Sequence, residues 1–354
     1  MRLVLTGGGT GGHIYPAIEV GRLARENGAD LLYFGSIRGQ ESAIAFQQSI
    51  PFTGFPAEPL YSLKSIRGVK ALIKLQQSRI SARKALKFCA PDIVFSTGGY
   101  SAGPIVAAAK DLKIPFAIHT ADSVPPRSSS MFAPQAALFT CTFRSTPKFL
   151  DNIPVVRTGQ PIRKQLRDAS LVQRTDSEPM LLVLGGSQGS QYLNETVPHA
   201  VQASGFQGKV VHGCGVSHVE STQQLVHDLQ LKNYSVVGFM NAEELVSAYR
   251  SATVAISRSG GTLAELALFG LPSILVPLPN SANDHQLHNA EEFVEMESAK
   301  LVHQSNQGTN NIAIALQEWI ENDISRLKAS QNLREWTVLD ATDRIWNLIV
   351  KAGR

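Results

Sequence analysis

His13 closes a run of glycines: residues 5–17 read LTGGGTGGHIYPA, with five glycines in the six positions ahead of the histidine. A neutral imidazole there can take a proton from a hydroxyl nucleophile or donate one to a phosphate. A helix starting after the glycines would disfavour its cationic form. The loop itself suits an anion, because backbone N–H groups without Cβ atoms approach closely and a helix N-terminus adds positive potential. Three more loops have this character: STGGYSAGP (96–104), GGSQGS (185–190) and SRSGGTLAE (257–265). Gly7, Gly9 and Gly12 satisfy G-x-G-x-x-G, yet the next strand ends LLYFGS where a dinucleotide fold carries a ribose-binding acid, and Glu41 lies beyond it. His13, not lysine, follows Gly12, so neither a nicotinamide fingerprint nor a P-loop is present.

A second constellation lies in the other half. Glu265 follows Gly260 and Gly261, and a carboxylate there can accept two hydrogen bonds from a ribose diol. Thr262 and the adjacent N–H groups can face a diphosphate. Gln286, in NDHQLHNA, can both donate to and accept from sugar hydroxyls, and Arg163 can meet a phosphate or a base edge. Neither a D-x-D motif nor an acidic pair with metal-ligand spacing occurs near these loops. The expectation is a nucleotide-sugar site using helix dipoles, with no metal and no cofactor.

Positioning such loops requires strands that end at them. Apolar, β-branched runs predict strands at 2–5, 30–34, 93–96, 116–118, 137–140 and 155–157, then at 180–184, 209–212, 235–237, 253–256 and 273–276. Helical stretches, such as 17–27, 263–268 and 290–296, lie between them, which predicts parallel α/β sheets. Each series restarts as a strand running into a glycine loop. The predicted fold is therefore α/β, two doubly wound Rossmann-like domains facing a cleft, with residues 1–158 in the first and 159–334 in the second. The helical tail, about 335–354, is expected to pack back on the first.

The 354 residues suit two domains, and 18% charged residues suit an ordinary globular chain. No apolar run is long enough to span a bilayer, and MRLVLTGGG reads as a first strand, not a signal peptide. Three scattered cysteines (Cys89, Cys141, Cys214) suggest neither a disulfide framework nor a zinc site, so a reducing cytoplasm is expected. The net charge of +4 is uneven, with 18 Lys and Arg against 9 Asp and Glu in residues 1–160, then 15 against 20. Residues 61–91 hold Lys64, Arg67, Lys70, Lys74, Arg79, Arg83, Lys84 and Lys87 and no acid. That patch suits an anionic lipid surface or another polyanion, or is a solvated helical face; the bases do not fall cleanly on one side of a helix.

GGTGGHIYPA, GSIRGQE, GGYSAGP, TGQPIR, GGSQGSQYLNE, the block from GFMNAEELV to SILVPLP, and DHQLHNA together resemble, in order and across nearly the whole chain, the MurG family of peptidoglycan GlcNAc transferases. The resemblance implies the glycosyltransferase B fold and transfer of GlcNAc from UDP-GlcNAc to the C4 hydroxyl of MurNAc in lipid I. The product would be lipid II, with inversion at the anomeric carbon. It implies a peripheral enzyme on the cytoplasmic face of the bacterial inner membrane, with residues 61–91 near anionic lipid and no nucleic-acid partner. By the same resemblance His13 would be the base. Arg163, Ser187, Gln188, the Met240 backbone, Gly260, Gly261, Thr262, Leu263, Glu265 and Gln286 would hold UDP-GlcNAc, with Glu265 on the ribose. Thr10, Gly11, Gly12 and Asp122 would meet the donor sugar. Gly8, Gly9, Gly98, Gly99, Tyr100 and His119 would line the acceptor pyrophosphate.

The chain departs from the family pattern at several points. HTADS replaces H-E-Q-N, bringing Thr120, Ala121 and Asp122; Ala102 replaces a serine; TGQP carries Gln160 for asparagine; and the 258–265 loop is one residue shorter. Two other readings stay open, a UDP-sugar transferase acting on another lipid-linked or polysaccharide acceptor, and a membrane-associated scaffold without catalysis. A soluble epimerase of the same fold fits the basic stretch poorly.

Overall fold

The computed structural model describes residues 1–59, 66–172, 178–186 and 188–353. Two of the expectations above, Ser187 and the 61–65 part of the basic stretch with Lys64, lie outside the described residues. The chain forms two compact units, Met1–Arg163 together with Asp340 onward, and Lys164–Leu339.

The first unit holds seven strands: β1 (Arg2–Thr6), β2 (Asp30–Ser36), β3 (Phe52–Phe55), β4 (Ile93–Ser96), β5 (Phe116–Thr120), β6 (Leu138–Cys141) and β7 (Val156–Arg157). They form one sheet in the order β3-β2-β1-β4-β5-β6-β7, and every pair is parallel. All four residues of β4 and all five of β5 are buried. Both faces of such a sheet are covered by helices, so its strands read as continuous apolar runs.

The second unit repeats the plan with β8 (Met180–Leu184), β9 (Lys209–Gly213), β10 (Tyr234–Val237), β11 (Val254–Ser257), β12 (Ser273–Leu275) and β13 (Ala299–Leu301). Their order is β10-β9-β8-β11-β12-β13, again parallel throughout.

Both orders reverse direction once, between β1 and β4 in the first sheet and between β8 and β11 in the second. At such a reversal the connections leave to opposite faces and open a crevice at the carboxyl ends of the strands. Thr6 is level with Ser96, and Leu184 is level with Ser257. The four glycine loops therefore stand in two pairs, one pair at each reversal.

The helix after β1 runs from Gly11 to Glu26 and so begins six residues before the expected start at Ala17. Glycines and Pro16 hide its beginning, since both lower helix propensity. Two short edge strands, β3 and β13, also escaped sequence reading. The C-terminal helix Ala341–Ala352 returns to the first unit, where Ile345, Trp346 and Ile349 join the core of Leu3, Leu5, Ile14 and Ile93.

Candidate functional site

In the first unit, the 7–9 loop is held from three sides. The Tyr33 hydroxyl donates to the Gly7 carbonyl at 2.5 Å, and the Gly8 N–H donates to the Gly98 carbonyl at 3.2 Å. The third contact is steric: Gly99 has φ +85°, and a Cβ there would overlap the Gly8 carbonyl oxygen. The two loops thus touch backbone to backbone, which only glycine permits. Tyr100 lays its ring beside Gly9, 2.9 Å from where a Cβ on that glycine would stand. Glu41 is fully buried, with its carboxylate packed where side chains on Gly8 and Gly39 would go. It is walled off from any ribose.

His13 occupies the first turn of the Gly11–Glu26 helix. Its Nδ1 lies 3.2 Å from Thr10 Oγ1, and its carbonyl accepts from the Thr97 hydroxyl at 2.6 Å. The opposite edge of the ring faces Gly98, whose Cβ position would be 3.8 Å from Nε2. With the proton on Nδ1 and donated to Thr10, Nε2 presents a lone pair. Thr10 is the residue preceding the helix, yet its side chain makes no cap hydrogen bond and serves the histidine instead. The N–H groups of Gly11 and Gly12 belong to the first turn, which has no preceding turn to bond to. Arg163 stands in the first unit, with its guanidinium 4.9 Å from the centre of the Tyr15 ring, and that ring lies against Gly11.

His119 requires a correction. It is fully buried, with Nδ1 3.0 Å from Thr140 Oγ1 and Nε2 3.2 Å from Gln160 Oε1. The neutral tautomer donating from Nε2 satisfies both, while the Thr142 hydroxyl also donates to Gln160 Oε1 at 2.6 Å. The side chain joins β5 to β6 and the 158–163 segment, so it is not a surface for a pyrophosphate. Gln160, one of the departures from the family pattern, is its partner. Asp122 is half-buried, and its carbonyl accepts from the Thr120 hydroxyl at 3.2 Å.

Burial lowers the pKa of His119 to about 4 and that of His212 to about 3. His212 sits in the second unit, bonded through Nδ1 to the Tyr234 hydroxyl (2.8 Å) and through Nε2 to Asn194 Oδ1 (3.0 Å). Both imidazoles are neutral when folded, whereas an unfolded histidine binds a proton below about pH 6.5. Stability is therefore whole above that pH and falls as pH drops toward 4. Each ring is expected to cost about 2 kcal/mol by pH 5. Two imidazole resonances should stay untitrated from pH 8 to 5 by NMR; titration of both near 6.5 would contradict the burial.

In the second unit, Gly185 and Gly189 are packed as closely as the glycines of the first. Gly189 has φ +79°, and a Cβ on it would overlap the Cys214 carbonyl. Gln188 is exposed. Ser190 begins the Gln191–Ser204 helix and accepts from the Leu193 N–H at 3.4 Å. Arg258 binds this loop to the neighbouring strand ends. Nε donates to Ser190 Oγ (3.1 Å) and Nη1 to the carbonyls of Val276 (2.9 Å) and Pro277 (3.1 Å). Its Nη2 donates to Gln304 Oε1 at 3.0 Å. Asn289, fully buried, donates to the Ser259 carbonyl at 3.0 Å. Sequence reading missed both Arg258 and Asn289, although they lie inside the quoted RSGG and DHQLHNA blocks.

Gly260, Gly261 and Thr262 are half-exposed, and the Leu263 side chain is buried while its N–H donates to the Gly260 carbonyl at 3.1 Å. Glu265 is half-buried in the Thr262–Leu268 helix, with Oε2 accepting from the Tyr249 hydroxyl at 2.7 Å. Gln286 accepts through Oε1 from the Leu278 N–H at 3.0 Å, which leaves its NH₂ turned away from that bond. Asn283 and Asp284, just before it, both adopt the left-handed region at φ 54° and 50°. Such strain at non-glycine residues is common where a functional loop is held in one shape. Met240 is buried, and Asn241 after it starts the Ala242–Ser251 helix with a capping box.

Known proteins share this plan. Residues 3–153 match the glycosyltransferase family 28 N-terminal domain and residues 180–345 its C-terminal domain. The chain is 32% identical over 356 residues to a UDP-N-acetylglucosamine–N-acetylmuramyl-(pentapeptide) pyrophosphoryl-undecaprenol N-acetylglucosamine transferase of Lachnoclostridium phytofermentans, covering 98% of each. The protein of the same description from Halothermothrix orenii is 32% identical over 350 residues, covering 93% of this chain and 92% of that one. A crystal structure of MurG from Acinetobacter baumannii superposes with a TM-score of 0.78 at 27% identity, covering 99% of both chains.

Proposed function

The chain belongs to glycosyltransferase family 28 and within it to the MurG family, and from that premise we propose a residue-level account of its reaction. The protein is a hexosyltransferase of the glycosyltransferase B fold. It moves GlcNAc from UDP-GlcNAc to lipid I, giving lipid II for peptidoglycan.

In our account the displacement inverts the anomeric carbon. His13 Nε2 takes the proton of the MurNAc C4 hydroxyl. That oxygen attacks C1 of GlcNAc from the face opposite UDP, the C1–O bond breaks, and UDP leaves with its electron pair. The observation that carries this is the Thr10–His13 contact at 3.2 Å, which suits a histidine held with Nδ1 protonated and Nε2 basic. Gly9, Gly99 and Tyr100 receive the acceptor pyrophosphate, with buried Gly8 and Gly98 holding the two loops together behind them, and Thr10, Gly11 and Gly12 meet the sugar in transit. Asp122 and Arg163 meet the donor.

On the second unit Glu265 takes the ribose diol. Ser187, Gln188 and Gly260 to Leu263 contact the diphosphate, Met240 the base through its backbone, and Gln286 the sugar hydroxyls. No metal takes part: the leaving diphosphate is stabilised by backbone N–H groups. Glu265→Ala is expected to weaken UDP binding by about 1–3 kcal/mol, the range for an unpaired polar group. Calorimetry measures it, and unchanged affinity would remove Glu265 from the ribose.

The Ile66–Cys89 helix supports a membrane-facing role. Val69, Ile73 and Ile80 are about half exposed, and their spacing of four and seven puts them on one face. Among the basic residues of this stretch, Lys74 pairs with Glu58 and Arg79 with Asp111, so Lys70, Arg83 and Lys84 are the better candidates for lipid contact. None of the described helices is long and apolar enough to cross a membrane. The enzyme attaches peripherally at the cytoplasmic face through this helix. Reversing Lys70, Arg83 and Lys84 to glutamate should cut binding to anionic vesicles at low salt at least about tenfold. Undiminished binding would leave the helix as a solvated face.

A further inference from the structure

We infer that Tyr249 is a positioning residue that sets a preference for ribose over 2′-deoxyribose in the donor nucleotide, by holding the Glu265 carboxylate. The inference rests on the reading of Glu265 as the ribose ligand and goes one residue behind it.

Tyr249 is 1% exposed and lies in the last turns of the Ala242–Ser251 helix. Its hydroxyl donates to Glu265 Oε2 at 2.7 Å. Its ring stacks on Phe269, with centroids 5.0 Å apart and planes 21° apart. Glu265 and Phe269 are four residues apart on adjoining helical turns, so Tyr249 grips the same face twice, by a charge-assisted hydrogen bond and by packing. The helix carrying Tyr249 is itself fixed at its other end. Asn241 accepts from the Glu243 and Glu244 N–H groups at 2.9 and 3.0 Å, and Glu244 Oε2 accepts from the Asn241 N–H at 2.8 Å.

A glutamate has three side-chain torsions, and freezing them on binding costs entropy. Tyr249 freezes them beforehand. Its hydroxyl uses one lone pair of Oε2, and an ionised carboxylate offers about four acceptor sites over its two oxygens. A loose carboxylate still attracts a sugar, but it does not aim at one hydroxyl. Rejection of an analogue lacking that hydroxyl depends on the aim, because only a fixed acceptor is left unpaired. The donor bond also draws charge from the carboxylate, and aim is expected to outweigh that loss.

The test compares UDP-GlcNAc with its 2′-deoxyribose analogue by calorimetry on the full chain, for wild type, Tyr249→Phe and Glu265→Gln. Tyr249→Phe keeps the ring on Phe269 and loses only the hydroxyl. The preference is a ratio measured within each variant, so a loss of stability cancels. Wild type is expected to prefer the ribose form about 10–100-fold, the range for one hydrogen bond to a charged group. Tyr249→Phe should bring the ratio to within about threefold, with affinity for the deoxy analogue nearly unchanged. If Glu265→Gln loses the preference and Tyr249→Phe keeps it, the inference fails and the ribose reading stands. If Glu265→Gln keeps the wild-type preference, or wild type has none, the ribose reading fails and the inference with it.

Discussion

Replacing His13 by alanine is expected to lower kcat by about 10²–10⁴-fold, the share that a positioned general base contributes, and to leave the KM for UDP-GlcNAc within about twofold. The split follows from where the residue sits. His13 is on the first unit, and the proposed contacts to uracil, ribose and diphosphate are on the second, apart from Arg163. A single-turnover assay with saturating donor and a lipid I analogue measures the chemical step alone. Glutamine at position 13 should not restore the rate, since it can hold the hydrogen bond to Thr10 but cannot accept a proton. Turnover of the alanine variant within about threefold of wild type would take the proton transfer away from His13.

Gly99→Ala is expected to have the second-largest effect, and on the other substrate. The new Cβ would overlap the Gly8 carbonyl, with backbone on both sides, so no side chain can swing aside to relieve it. Alanine is also strained at φ +85°. The 7–9 and 97–101 loops must therefore part, and His13 rests on this pair through Thr97 and Gly98. A shift of about 1 Å at reacting groups can cost about 10²-fold in rate. The expected result is a fall in kcat/KM for the lipid acceptor of at least that size, with UDP affinity by calorimetry unchanged. An acceptor kcat/KM close to wild type would mean that the contact between the loops is dispensable.

Much of this arrangement was legible in the residues. Alternating apolar runs predict the two parallel sheets because a buried parallel strand must be apolar on both faces. All four glycine loops stand out by composition, and in three of them glycines (Gly9, Gly98, Gly99, Gly186 and Gly189) take positive φ angles that few other residues adopt. Their pairing was not legible. Neighbourhood in a sheet is set by how helices cross over, so nothing local says that Thr6 lies beside Ser96 and Leu184 beside Ser257. For the same reason His119 read as a ligand contact: its partners Thr140, Thr142 and Gln160 lie 21 to 41 residues away. Arg258 and Tyr249 were passed over because each acts on backbone or on another side chain. The strands β3 and β13, of four and three residues, are too short to show a period.

Direct displacement of UDP by a lipid-linked hydroxyl without a metal, as proposed above, is open to a test of product stereochemistry and metal dependence together. Purified enzyme is given UDP-[¹⁴C]GlcNAc and a lipid I analogue in the presence of EDTA, and the anomeric linkage of the labelled product is determined by NMR. The expected product is a β-linked GlcNAc on the C4 oxygen of MurNAc, formed at the same rate with and without the chelator. An α-linked product, or transfer that stops in EDTA and returns with a divalent cation, would contradict it.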